Sequence, residues 1–291
     1  MLEEIRALGF EYAELSHNTS IALLPGIQAA VKDGVIKVLS LHNFCPLPIG
    51  VTGMAPDCYR PSAADDRERD QALRHTLRTL EFAAMLGAKV VVLHLGCVPM
   101  RWPNRPRQLM VMYADGKELT PQFEQLRQKT LMARERKREK YFVQVCRVLD
   151  RLVPRVKELK LTLGMETRMG IEEIPNEDEA DNLIRCYGTD ALAYWFDNAH
   201  GQIKENMGLL RQESVLERFR GRMAGMHLQD FVPPLMDHLP PGLGEYEFAR
   251  LAPFVDDEMI VSWEIHGEWD PQVIADGTRR VHKLLRRLVA A

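Results

Sequence analysis

The chain contains no apolar run approaching the roughly 20 residues that a membrane-spanning helix needs. It also lacks a basic-then-apolar start of the kind that directs secretion. Both absences lead to a cytoplasmic expectation, with no membrane among the partners. Positive charge is not in excess: 38 Lys and Arg stand against 41 Asp and Glu, for a net charge of -3. That excludes bulk attraction to nucleic acid and leaves room only for a local basic groove. Cysteine is scarce. The five, Cys45, Cys58, Cys97, Cys146 and Cys186, are odd in number and widely spaced, with no C-x-x-C pair. A disulfide framework or a structural zinc cluster is not expected, and reduced thiols are. No G-x-G-x-x-G marks a dinucleotide site. No linker or shift in composition interrupts the 291 residues, which read as one domain over 1–291.

What is present is a regular alternation. Seven apolar runs, near residues 12, 36, 89, 162, 192, 223 and 260, read as strands. Helical patterns lie between and around them, over 2–8, 21–32, 62–86, 121–160, 177–187, 209–219, 248–254 and 271–288. Gly9 and Gly87 stand where helices should close. Pro121 stands where the longest should open, and Pro154 is its candidate kink. Pro/Gly-rich loops are expected over 45–61 and 232–244. A long irregular segment is expected over 97–120, either a lid carrying Trp102 or a surface excursion.

Strands that are apolar throughout and alternate with helices imply a parallel sheet with crossover helices on its faces. The repeat count fits an α/β fold of the (β/α)8 TIM-barrel type better than an open sheet. Only seven strands are countable, so the first strand is apparently missing from this chain. Either the true start lies upstream, or the barrel is open or unusually closed at that edge. An exposed edge there would be covered by another subunit, as in a homo-oligomer, or by the C-terminal segment.

In such barrels chemistry sits at the C-terminal ends of the strands. The polar residues there are His42, His94, Glu166, Asp197, His200, His227, Asp230 and Glu264. The run Trp195-Phe196-Asp197-Asn198-Ala199-His200 ends a strand with a carboxylate and an imidazole, neither cheap to bury unless paired or metal-bound. Taken singly, each strand-end residue has an ordinary explanation. A His can be a loop residue with a hydrogen-bond partner, and a Glu can be an edge or capping charge. Taken together, Glu166, Asp197, His227 and Glu264 end four strands at similar places. They would form an oxygen-rich cage with one imidazole, suited to one divalent ion: Mn, Mg, Co or Zn. Trp263 should turn away from the face used by Glu264 and pack in the core. Cys97 follows a strand end with no motif around it.

These residues resemble the xylose-isomerase-like TIM barrel superfamily, from about Leu2 to the end. That superfamily holds sugar and sugar-phosphate isomerases and epimerases. It also holds AP endonuclease family 2, the endonuclease IV type of DNA repair enzyme. The resemblance is carried by Gly164-Met165-Glu166, Asp197-x-x-His200, Met226-His227-Leu228-Gln229-Asp230, Asp237-His238-Leu239-Pro240-Pro241-Gly242-Leu243-Gly244 and Trp263-Glu264. For sugar-type members it implies Glu166, Asp197, His227 and Glu264 as metal ligands and His200 as a substrate contact. His42, His94 and Arg168 are further substrate-binding candidates, Arg168 either holding a hydroxyl or phosphate or solvated. The implied reaction is isomerisation or epimerisation of a sugar, sugar phosphate or related polyol. The metal stabilises an enediolate, and Glu166 and Glu264 carry the proton next to the carbonyl. The absent first strand removes residues that often line the sugar pocket.

The endonuclease type uses three zinc ions. Its extra ligands would fall on His42, His94, His200, Asp237 and His238, although here Asp237 and His238 are adjacent rather than separated by one residue. The basic residues Arg134, Arg136, Lys137, Arg138 and Lys140 interleave with Glu135 and Glu139, which reads as a solvated, salt-bridged helix face rather than a phosphate track. A third class is a barrel that only binds a ligand. The expectation is the sugar-type enzyme, with a small-molecule partner and no nucleic acid.

Overall fold

Local capping signals set where the helices begin and end. In a computed structural model that describes residues 1–52, 56–100, 102–256 and 258–289, α1 (Leu2–Ala7) is followed by β1 (Tyr12–Leu15), a 3-10 turn (Ile21–Leu23), α2 (Leu24–Lys32) and β2 (Lys37–His42). Then α3 (Asp66–Leu86) opens on Asp65, whose Oδ1 accepts from the Arg67 N–H at 2.9 Å. It closes on Gly87 at φ 75°, a left-handed conformation that glycine adopts without strain. Next come β3 (Val90–Leu93), α4 (Arg105–Ala114), α5 (Pro121–Glu158), β4 (Thr162–Glu166) and α6 (Glu177–Tyr187). The chain continues through β5 (Leu192–Asp197), α7 (Asn198–Asn206), α8 (Gln212–Phe219) and β6 (Met223–Leu228). It ends with the short strands β7 (Asp230–Val232) and β8 (Met236–Leu239), a 3-10 helix (Phe248–Phe254), β9 (Ile260–Trp263) and α9 (Pro271–Val289). No helix among the described residues is long and apolar enough to cross a membrane.

The seven long-range strands follow the order β1-β2-β3-β4-β5-β6-β9, so the count of seven read from the sequence holds. The β1–β2, β2–β3, β3–β4, β4–β5 and β6–β9 pairings are parallel. Contacts divide the chain into two compact units. One comprises Met1–Val98, Lys137–Glu166 and Glu173–Trp195; the other comprises Pro99–Arg136, Thr167–Glu172 and Phe196–Ala291.

In the first unit, strands β3, β4 and β5 form the centre of the core. Val91, Val92, Leu163, Met165, Leu192 and Trp195 are fully buried. Each such side chain contributes about 1.5–3 kcal/mol over leaving it exposed. Packing at Gly164 is tight: a Cβ there would lie 3.1 Å from the Trp195 ring and 3.2 Å from Val90, so those side chains would have to give way. Register then sets the strand ends. Leu93 pairs with Met165, and Glu166 pairs with Trp195, two residues before Asp197. In the second unit, His227 pairs with Ser262, and the Glu264 N–H donates to Leu228 O at 3.0 Å.

Several expectations need correction. The segment 97–120 is not irregular throughout. It contains α4, which the Asn104 side chain caps by accepting from Arg107 N–H, with Pro106 in the first turn and Leu109 and Tyr113 buried one turn apart. The loop over 232–244 contains β8, paired antiparallel with β7. Helix α7 follows β5 without a loop, because Asp197 is itself the N-cap. Helix α8 starts at Gln212 rather than 209, and α5 runs on through Pro154 to Glu158. Residues 53–55 and 101, inside two of the expected loops, lie outside the described residues.

Candidate metal centre

In the first unit, parallel strands deliver their last residues to one side. His42 ends β2, His94 follows β3, Glu166 ends β4, and all three are buried. The His42 Nδ1–H donates to Asn43 O at 3.0 Å, and Nε2 lies 3.0 Å from Glu166 Oε2. His94 faces Asp57 Oδ1 through Nδ1 at 3.2 Å, and its Nε2 lies 2.8 Å from the same Glu166 oxygen. A backbone carbonyl can only accept, so the His42 ring carries hydrogen on Nδ1, whereas His94 has a carboxylate at each nitrogen, the nearer being Glu166 at Nε2. A neutral His42 ring then turns a lone pair toward Glu166 from Nε2. That lone pair and the carboxylate oxygen repel one another unless a proton or a cation lies between them. The donor types and mutual distances, all within 4.8 Å, fit a divalent ion. His17, just beyond β1, presents its ring edge-to-face with His42 at 4.9 Å, and His42 does the same with His94. The sequence reading did not include His17, because it lies two residues past the apolar run.

In the second unit, Asp197 has two duties. Its Oδ1 accepts from the His200 N–H at 2.8 Å as the cap of α7, and its Oδ2 accepts from Gln229 Nε2 at 2.7 Å. Gln229 is fully buried and held on every side. Its N–H donates to Asn198 Oδ1 at 2.8 Å, its carbonyl accepts from Asn198 Nδ2 at 2.9 Å, and its Oε1 accepts from the His238 N–H. His227 Nδ1 lies 3.1 Å from Glu264 Oε2 and 4.0 Å from Asp197 Oδ2. Separations of this size suit neighbouring ligands around one ion at about 2.1 Å from each. The structure therefore brings Asp197, His227 and Glu264 together.

A second layer surrounds that trio. His200 Nδ1 donates to Thr167 O at 2.9 Å. His238, in left-handed backbone at φ 57°, has its Nδ1 2.8 Å from Asp237 Oδ1 and its Nε2 3.7 Å from Glu264 Oε2. Burial disfavours its charged form, but the Asp237 hydrogen bond and Glu264 outweigh that and push its pKa up to about 10. Its ring stacks on His266 at 3.9 Å and 4°. His266 is held below the ordinary imidazole value by burial and then by the His238 charge. His200, Asp237 and His238 place ligand atoms within 4.8 Å of one another, as do His238, Glu264 and His266.

Other residues singled out in the sequence have structural duties. Asp230 accepts from the N–H groups of Phe231, Gly242, Gly244 and Tyr246 at 2.7–3.0 Å, so it folds the Pro/Gly loop. Cys97 donates its N–H to Ser62 Oγ at 2.9 Å. Trp263 is half-buried rather than in the core, with its ring 5.9 Å from Phe248. Arg168 is half-buried in the segment after β4, and Trp102 is 93% exposed. The basic run on α5 is mostly solvated, as expected, but Arg134 is buried and Arg138 lies 3.9 Å from Glu179. Among residues the sequence reading passed over, Gln229, Asp57 and His266 touch the candidate ligands. Gln229 lay inside a quoted motif, but a neutral amide carries no charge signal.

The sequence model of the xylose isomerase-like TIM barrel matches residues 2–288. No curated protein sequence matches the chain. Among solved structures, the 3-keto-D-glucoside 4-epimerase of E. coli is similar with a TM-score of 0.68 at 16% identity, over 97% of this chain and 92% of that one. A D-psicose 3-epimerase crystallised in the presence of D-fructose gives 0.66 at 15% identity, over 100% and 93%. The IOLI protein with a bound zinc atom gives 0.63 at 14% identity, over 99% and 91%. Identities this low establish likeness of fold.

Proposed function

We propose, from the premise that this chain belongs to the xylose isomerase-like TIM barrel family, that it is a divalent-metal-dependent isomerase or epimerase of a sugar, sugar phosphate or related polyol. The observation that carries this reading is the juxtaposition of buried Asp197 and His227 with half-buried Glu264, Asp197 being oriented by Gln229. Glu166, at the end of β4, is the fourth ligand in this reading, from its strand position and its place in the family pattern. The fold relatives that act on keto sugars support the substrate class.

A bound Mn, Mg, Co or Zn ion would supply Lewis acidity at the substrate carbonyl. The protein's own residues do the rest. Glu166 and Glu264 remove and return the proton on the carbon next to the carbonyl. His42 and His94 flank Glu166 Oε2 at 3.0 and 2.8 Å, and a proton held between a ring and that oxygen sets the direction in which the carboxylate acts. His200, anchored through Nδ1 on Thr167 O, offers Nε2 to a substrate hydroxyl. Arg168 is the candidate for a second hydroxyl or a phosphate.

The test is metal analysis of the purified protein, followed by a panel of ketoses and inosose-type polyols with added Mn²⁺. One ion per chain and turnover that Glu166→Gln abolishes are expected. A specific observation keeps the endonuclease reading as the second. The trios His42, His94, Glu166 and His200, Asp237, His238 supply donor sets for two further ions. Three zinc ions per chain together with cleavage of abasic DNA would establish that reading instead. Absence of metal, with ligand binding untouched by Glu166→Gln, would leave a binding barrel.

A further inference from the structure

We propose that Gly277, inside α9, is a positioning residue: it lets the helix seat directly on the Pro241 carbonyl and so holds His238 beside Glu264. The consequence for turnover rests on the isomerase reading above; the placement itself does not. Glycine weakens a helix interior, because it has more backbone freedom to lose than any other residue. Gly277 lies within α9 and has none of the positive φ that calls for glycine elsewhere in the chain. Space is the reason for it. A Cβ at 277 would overlap Pro241 O and lie 3.1 Å from the carbonyl carbon and 3.3 Å from the Pro241 Cβ. Three residues on, Arg280 addresses the same carbonyl, with Nη2 3.5 Å from Pro241 O.

The path from Pro241 to the site is short. Leu239, Pro240 and Pro241 form a buried run that begins directly after His238. Asp230 gathers the turn beyond it through the N–H groups of Gly242 and Gly244, and α9 stops the run at Pro241. His238 has left-handed backbone, φ 57°, which a residue with a side chain keeps only where its neighbours hold it. Its N–H donates to Gln229 Oε1, and its carbonyl accepts from the His266 N–H at 3.0 Å. Its ring stacks on His266 and brings Nε2 to 3.7 Å from Glu264 Oε2, a proton carrier in the isomerase reading. Helix α9 buries Ala275, Thr278, Val281 and Leu285 and packs against the 3-10 helix Phe248–Phe254. The single turn after Pro240, closed by Leu243 N–H on Pro240 O, therefore yields before the helix does. A Cβ at 277 would push Pro241 back by about 1 Å to restore ordinary contact, and His238 would move with it.

The experiment compares the full chain with Gly277→Ala, by NMR of metal-free protein and by kinetics with added Mn²⁺. In wild type, NOEs are expected from Gly277 Hα to Pro241 and between the His238 and His266 rings, stacked at 3.9 Å. Gly277→Ala should lose the ring-to-ring NOE and keep that of Tyr246 and Phe248, whose rings lie 5.1 Å apart beyond the turn; general loosening would not choose between the two pairs. On any ketose that wild type turns over, Gly277→Ala should lower kcat by on the order of 100-fold, the loss typical of a misplacement near 1 Å. His238→Ala should lower kcat as well, and the double variant no further than His238→Ala alone, because Gly277 acts through that ring. An intact His238–His266 NOE in Gly277→Ala overturns the proposal, and so do losses that add in the double variant. Wild type without the NOE from Gly277 to Pro241 overturns it even if the Ala variant fails to fold. Wild type that turns over no ketose overturns the isomerase reading instead, while the NOEs still decide the placement.

Discussion

Gln229 uses its whole amide inside the protein. One end donates to Asp197 Oδ2 and the other accepts from the His238 N–H. Gln229→Leu strands a buried carboxylate oxygen and a backbone N–H together. We expect it to lower unfolding stability by about 1–3 kcal/mol in a urea titration and to weaken metal binding by calorimetry. Gln229→Glu should weaken stability further, since it places a second carboxylate at 2.7 Å from the first. Burial also decides thiol chemistry. Cys45 is fully buried, and its thiol is pushed up to about 12 by desolvation, partly offset by a hydrogen bond to Thr19. Its thiolate is therefore scarce at neutral and mildly alkaline pH in the folded state. Iodoacetamide at pH 8.5 is expected to label the exposed Cys186 and to spare Cys45 until the protein is unfolded, as peptide mass mapping would show. At this scale, charged residues at strand ends were legible in the sequence. Asp57 and His17 were not, because their role depends on where a loop returns.

Ends that carry strong local signals appear where the sequence places them in two cases: Gly87 closes α3, and the Asn176–Glu179 capping box opens α6 at 177. The start of α3 does not, since Asp65 rather than Ser62 caps it and the helix opens at Asp66 rather than 62. The short pieces were harder to see. Helix α7 has nine residues and starts on the same Asp197 that ends β5, so one residue serves two elements and hides the boundary. Strand β8 lies in a Pro/Gly stretch whose shape is dictated by Asp230, a side chain 12 and 14 residues away from two of its donors. Glycine at 244 is needed for that approach, since a Cβ would lie 2.4 Å from Asp230 Oδ1. Asp230→Ala leaves four backbone donors without their acceptor. A loss of about 2–4 kcal/mol is expected from chemical denaturation. Asp230→Asn, which keeps one acceptor oxygen, should lose less. An Ala variant as stable as wild type would show that the loop folds without this carboxylate.

For the whole molecule, the period of alternating strands and helices was the most legible feature, and the seven-strand count follows from it. The family match over 2–288 agrees with that reading. What a sequence does not display is how many ions a set of strand ends holds. The same histidines that steer one carboxylate can ligate a second ion, and only their hydrogen positions separate the two roles. Any ion bound to the folded chain and not to the unfolded one stabilises it, by about 2.7 kcal/mol at 100 times its dissociation constant. Protein stripped with EDTA is therefore expected to melt at lower temperature by scanning calorimetry and to recover when Mn²⁺ is returned. An unchanged melting temperature would show that the acids and imidazoles hold one another without metal.

Proton transfer next to a carbonyl leaves a direct trace in heavy water. The decisive measurement is NMR of ketoses and ketose phosphates incubated in D₂O with the Mn²⁺-loaded protein. Deuterium is expected at the carbon adjacent to the carbonyl of at least one of them, and it should be lost with Glu166→Gln or after metal removal. No deuterium in any of them, from protein that binds three zinc ions and cuts abasic DNA, would contradict the sugar-enzyme assignment.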